Sequence, residues 1–67
     1  MEYAEKIRIL RKVAGLTQQE LGELCGYEGN SAGRTVQHWE YGRSYPPAEK
    51  LRILAKVLNT TLDQIVP

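Results

Sequence analysis

Gly15-Leu-Thr-Gln-Gln-Glu-Leu21 and Thr35-Val-Gln-His-Trp-Glu-Tyr-Gly-Arg-Ser-Tyr-Pro46 decide the fold of this chain. In the first stretch, Thr17 and Glu20 stand three apart at the head of an apolar series. That is the capping-box pattern, in which the hydroxyl takes one orphan backbone N–H and the carboxylate reaches back for another. It predicts a helix opening at Thr17, with Leu21, Leu24 and Cys25 on its apolar face and Gly26 at its close. In the second stretch, Val36 and Trp39 share one helical face at i and i+3. Gly42 then stops the helix at about Tyr41, because glycine takes the left-handed cap conformation without steric cost.

The pattern continues outward from these two helices. Tyr3, Ile7, Leu10 and Ala14 recur at helical spacing, which predicts a first helix over 2–14, stopped by Gly15. Residues 27–33 read as a loop, with Gly29 and Asn30 as breakers and either Asn30 or Ser31 able to cap the helix that follows. Pro46 and Pro47 open a fourth helix, since proline fits a first turn whose N–H has no partner anyway. Leu51, Leu54, Ala55 and Leu58 form its stripe, and Asn59 ends it. Thr61 and Gln64 form a second capping-box pattern, opening a short fifth helix with Leu62, Ile65 and Val66. A breaker or cap falls at every boundary, which predicts an all-α bundle of five helices in one domain over 1–67.

Composition bounds what this bundle can be. A chain of 67 residues buries only about 60% of its unfolded surface, so packing and caps must carry its stability. One cysteine excludes an intrachain disulfide, and one His with one Cys leaves metal ligands scarce, so no metal or cofactor is expected. A single thiol and no signal peptide fit a reducing, cytoplasmic compartment. No apolar run approaches the roughly 18 residues of a membrane helix. Nine Lys and Arg against eight Asp and Glu give a net charge of +1. Any nucleic-acid face must therefore come from uneven placement of charge rather than from its total.

With Thr17-Gln-Gln-Glu20 opening one helix and Trp39-Glu-Tyr-Gly42 closing the next, residues 7–66 resemble the phage repressor/Cro family of helix-turn-helix proteins. The resemblance implies a compact repressor-like bundle and a sequence-specific regulator of transcription, expected to repress by occluding a promoter. It places the third helix in the major groove and the second across it. Val36 and Trp39 then face the core, and Arg34, Gln37 and His38 the bases. Arginine pairs with guanine O6 and N7 through two donors, and glutamine with adenine N6 and N7. Ser31 near the helix start reaches a base or a phosphate.

Phosphate contacts give affinity and register rather than sequence. The resemblance assigns them to Gln18, with Thr17 beside it, where the second helix begins. It also assigns Thr35 on the third helix, and Arg43, Ser44 and Tyr45 in the loop after it. Arg11 and Glu40 match a partly buried, architectural ion pair of the family. Relatives commonly dimerise near the C-terminal end and bind two half-sites about 10 bp apart, which implies a homodimer on a palindromic duplex operator of bacterial or phage origin. The connection between the two motif helices departs from the family, being about four residues longer than the usual turn of three to four. It either carries Asn30 and Ser31 towards the DNA backbone or serves as a spacer.

Other readings are weaker. Gly29-x-x-x-Gly33-Arg34-Thr35 lacks the spacing, the lysine and the preceding strand of a phosphate loop. Cys25 and His38 lack a third partner, and a cysteine beside Leu21 and Leu24 reads as a small hydrophobe, so no enzyme is expected. Ile9 with Val13, and Ile53 with Val57, either widen core stripes or join Ile65 and Val66 in a dimer face. The near-neutral charge keeps one alternative function open, an antitoxin or other protein-interaction module on the same scaffold.

Overall fold

The computed structural model describes residues 2–65. Five helices follow one another as α1 (Tyr3–Val13), α2 (Gln18–Leu24), α3 (Asn30–Glu40), α4 (Ala48–Val57) and α5 (Leu62–Ile65), with no strand among the described residues. Each helix contributes to one core. Ile7 comes from α1, Leu21 from α2, Val36 and Trp39 from α3, Leu51, Leu54 and Ala55 from α4, and Ile65 from α5. Cys25 and Leu58 join it from the ends of α2 and α4. Ile53 and Val57 pack against this core, so on α4 the second apolar pair widens the stripe.

The capping box at Thr17 forms in full. Glu20 N–H donates to Thr17 Oγ1 at 3.0 Å and Thr17 N–H to Glu20 Oε1 at 2.8 Å. The second box does not form: at Thr61 the bond is backbone to backbone, Gln64 N–H to the Thr61 carbonyl at 3.1 Å. Helix α5 is a single turn, held by the burial of Ile65 rather than by a cap. Val66, expected beside it, lies outside the described residues. Helix α4 starts at Ala48, after Pro46 and Pro47. Pro47 takes the N-cap position and Pro46 is buried.

The boundary that moves most is the start of α3. Its helix begins at Asn30, so the turn spans only 25–29, and Asn30 to Gly33 are helical rather than loop. Neither Asn30 nor Ser31 caps it. Gly29 occupies the N-cap position with φ of 63° and no side chain to offer. The cap comes instead from the Gln19 side chain on α2, which bonds the Gly33 N–H and the Gly29 carbonyl. The turn is tied down from α4: Lys50 Nζ donates to the Cys25 carbonyl at 2.8 Å and lies 4.9 Å from the centre of the Tyr27 ring. Tyr27 in turn meets Trp39 edge-on at 5.9 Å.

Leu24 is the second correction, being 54% exposed instead of on the apolar face. The buried side of α2 is set by Leu21 and Gly22, and that phase turns Leu24 outward. Gly22 lies so close to α3 that a Cβ there would sit 2.2 Å from the Ala32 carbonyl oxygen. Backbone therefore meets backbone at this crossing, and neither side can rotate away. Gly22→Ala should cost about 2–4 kcal/mol, much of the roughly 3–10 kcal/mol available to a domain of this size. Gly15→Ala is the contrast: it has φ of +75° and nothing within 4 Å, so only backbone strain of about 1–2 kcal/mol is at stake. Urea denaturation of both variants checks the order, and equal losses would refute the close crossing.

Candidate nucleic-acid interface

Burial around α3 follows the helical period. Ala32, Val36, Trp39 and Glu40 are buried, while Asn30, Ser31, Arg34 and Tyr41 are exposed and Gln37 and His38 half-buried. At 3.6 residues per turn, Asn30, Arg34, Gln37, His38 and Tyr41 form one outward stripe along the helix. Arg34 stands at its centre. Thr35 lies half-buried on the flank. Ser31 is exposed, but its hydroxyl donates to the Glu28 carbonyl at 2.7 Å and so closes the turn.

A buried carboxylate fixes the inward face. Glu40 Oε2 accepts from Arg11 Nε at 2.6 Å, and Oε1 accepts from Arg11 Nη2 and from Gln18 Nε2, each at 3.1 Å. Arg11 Nη1 donates to the Leu16 carbonyl at 2.8 Å. The Glu40 side chain is 1% exposed and that of Arg11 11%. One bidentate ion pair with two further hydrogen bonds thus joins α1, the α1–α2 link, α2 and α3. It also occupies Gln18, whose carboxamide the resemblance assigns to a phosphate. Thr17 is similarly engaged through its hydroxyl, in the α2 cap.

The loop after α3 turns back at once. Gly42 has φ of +73°, and Arg43 N–H donates to the His38 carbonyl at 2.9 Å. Arg43 is exposed, with its guanidinium 5.8 Å from the centre of the Tyr41 ring. Tyr45 meets Tyr3 edge-on at 4.7 Å, and the Tyr3 hydroxyl donates to the Ser44 carbonyl at 2.9 Å. Arg43, Ser44 and Tyr45 therefore form a braced, exposed segment at the C-terminal end of the α3 stripe. Tyr41, 61% exposed, completes that end. In the sequence Tyr41 marks the helix end, and its spacing from Arg34 and Gln37 also puts it on their face.

The catalytic alternative gains nothing from the geometry. Cys25 is fully buried. Burial pushes its thiol up, against a smaller opposing pull from the Lys50 ammonium, so at neutral pH it is a thiol and not a nucleophilic thiolate. Among the described residues, no three His, Cys, Asp or Glu side chains gather as metal ligands, and no helix is long and apolar enough to cross a membrane.

A tight α2–α3 pair, with one face of α3 locked inward and the other lined by hydrogen-bonding side chains, is the architecture of a helix-turn-helix module. The Helix-turn-helix family, of the Cro/C1 type, matches residues 7–65, and the chain belongs to it. It is 35% identical over 66 residues to the HTH-type transcriptional activator BcrR of Enterococcus faecalis, covering 98% of this chain and 30% of the relative. It is 34% identical over 64 residues to the uncharacterized HTH-type transcriptional regulator YobD of Bacillus subtilis (strain 168), covering 96% of this chain and 54% of the relative. The chain thus spans about a third to a half of the length of these relatives. No solved structure matches it.

The Glu40 cluster generates a direct test. Removing one partner of a buried pair strands the other, so Glu40→Ala should cost about 3–5 kcal/mol in urea denaturation. Adding Arg11→Met to Glu40→Leu should recover part of the loss by removing the stranded charge. A double variant as damaged as the sum of its singles would contradict the coupling.

Proposed function

We propose that this domain binds duplex DNA sequence-specifically as the DNA-binding part of a transcriptional regulator, with α3 in the major groove. The observation that carries the reading is the outward stripe of α3, Arg34 with Gln37 and His38, on a helix whose other face is locked into the core. Arg34 and Gln37 have the donor and acceptor sets that distinguish guanine and adenine by bidentate pairing. Ser31 and Thr35 flank the stripe and contact the nearest base or phosphate. Arg43, Ser44 and Tyr45 follow the backbone at the groove edge, and the N-terminus of α2, with Thr17 and Gln18, approaches a phosphate on the other side. The domain acts by binding rather than catalysis.

The regulator works as a homodimer on an approximately palindromic site in a cytoplasmic, bacterial or phage setting. A second protomer is supported by the apolar side chains left outside the core, Ile9 at 40% and Val13 at 79% exposure on α1 and Leu62 at 39% on α5. Where the site overlaps a promoter, occupancy represses. The name of the Enterococcus relative, an activator, accords with the same reading head placed beside a promoter instead of across it.

Selection from randomised duplexes at about 0.15 M salt, where non-specific phosphate binding is weak, tests the reading. An enriched site with half-sites one helical turn apart is expected, and a folded protein that enriches nothing would overturn it in favour of a protein partner. On the enriched site, Arg34→Ala should cost about 1–3 kcal/mol and relax one position per half-site. Arg43→Ala should weaken specific and random DNA alike and reduce the salt slope by about one unit. Titrations against both DNAs at several salt concentrations separate the two roles.

A further inference from the structure

The first turn of α3 is closed by its own backbone only through the i→i+3 bond from Ala32 N–H to the Gly29 carbonyl at 3.2 Å, without the i→i+4 bond of the other helices. In α1, α2 and α4 the N-cap carbonyl accepts the i→i+4 bond: Lys6 N–H to Glu2 at 3.1 Å, Leu21 to Thr17 at 3.0 Å and Leu51 to Pro47 at 3.0 Å. At α3 the corresponding donor, Gly33 N–H, instead bonds Gln19 Oε1 at 3.1 Å. The corresponding acceptor, the Gly29 carbonyl, takes Gln19 Nε2 at 2.9 Å and Ala32 N–H at 3.2 Å. The Gln19 carboxamide is thus spliced into the α3 turn, bonded both to the Gly33 N–H and to the Gly29 carbonyl, the positions that pair with each other in the other helices. Its Nε2 also donates to Glu23 Oε2 at 3.0 Å, which ties the splice back to α2.

Two glycines make room for it. A Cβ at Gly33 would lie 2.9 Å from Gln19 Oε1, so any side chain there pushes against the carboxamide. Gly29 has φ of 63° and ψ of −154°, a region that only glycine enters readily. Glycine inside a helix is otherwise unfavourable, and here its absence of a Cβ is what admits the splice.

We infer that Gln19 is a positioning residue for base reading: by bridging the Gly33 N–H and the Gly29 carbonyl in the first turn of α3 it sets the placement of Asn30 and Arg34 relative to Gln37 and His38. The inference rests on the proposed DNA reading. It follows from geometry, because a helix that closed its own Gly33-to-Gly29 bond would draw in its N-terminal turn while Val36, Trp39 and Glu40 held the remainder in the core. The residues nearest the splice move most, and those beyond Val36 move least.

The test compares base preference by duplex selection for the wild type, Gln19→Ala and Gln19→Met, the last keeping side-chain bulk without the hydrogen bonds. NMR hydrogen exchange of the Gly33 amide is read on the same proteins, and gives the fold and the splice independently of DNA. The expected result is a changed Gly33 exchange rate with both variants folded. Preference should change at the base positions sensitive to Arg34→Ala and persist at those sensitive to His38→Ala. Gly33→Ala should destabilise the wild type and be neutral or stabilising in the Gln19→Ala background, where the obstructing carboxamide is gone. A wild-type preference left unchanged at every position by both variants, or weakened uniformly at all of them, would overturn the positioning role alone. A wild type with no base preference would overturn the DNA reading and this role with it.

Discussion

The backbone crossing of α2 and α3 is the constraint on which the rest depends. At Gly22 no carbon atom can be added without entering the Ala32 carbonyl group. Contact this close fixes both the separation and the phase of the pair, since neither helix can roll without bringing side chains into the gap. Phase is what function needs from α3. A rotation of one residue turns the helix by about 100° and would exchange the outward stripe for a buried face. The five-residue turn between the helices, 25–29, therefore does not set the geometry; the crossing does. Lys50 and Tyr27 hold that turn against α4 and the core without dictating the angle.

The Glu40 cluster acts at the opposite end of the same helix. Its partners come from α1 and α2, and its carboxylate is almost wholly removed from water. A buried pair of this kind is weak evidence of net stabilisation, because desolvation offsets much of its attraction. Its value here is geometric: a bidentate fork accepts one orientation of α3 against α1. Gln18 belongs to that cluster, so a residue that the family resemblance assigns to DNA helps hold α3. The two tasks are compatible only through the backbone, because the Gln18 side chain turns inward and the capping box takes the Thr17 and Glu20 N–H groups, leaving those of Gln18 and Gln19 for an anion.

Much of the fold was legible in local chemistry. The capping box at Thr17, the stops at Gly15 and Gly42 and the stripes around Trp39 and Leu54 each follow from neighbours within a turn of helix, and each forms. The same local logic misled where the deciding partner was remote. Residues 27–33 read as loop because Gly29 and Asn30 are breakers and Asn30 or Ser31 offers a local cap, while the cap arrives from Gln19 on the preceding helix. Leu24 read as core because it continues the apolar series from Leu21, but Gly22 sets the buried side. At Thr61 the sequence pattern was present and the side-chain cap was not, since one turn of helix anchored by Ile65 does not require it. In the candidate site, periodicity puts Arg34, Gln37 and His38 on the face opposite Val36 and Trp39, and only the family resemblance assigns them to bases. Tyr41 was on the same period and was passed over as a terminus, and the second role of Gln18 needed Glu40 to be placed in space.

The proposed recognition of DNA depends on α3 presenting Arg34, Gln37 and His38 to base edges. Intermolecular NMR contacts in a complex with the selected duplex test that most directly. Contacts from these three side chains to major-groove protons are expected, with Arg43 and the N-terminus of α2 close to the sugar–phosphate backbone. A complex in which these side chains remain in solvent, and another face of the bundle meets the duplex, would contradict it.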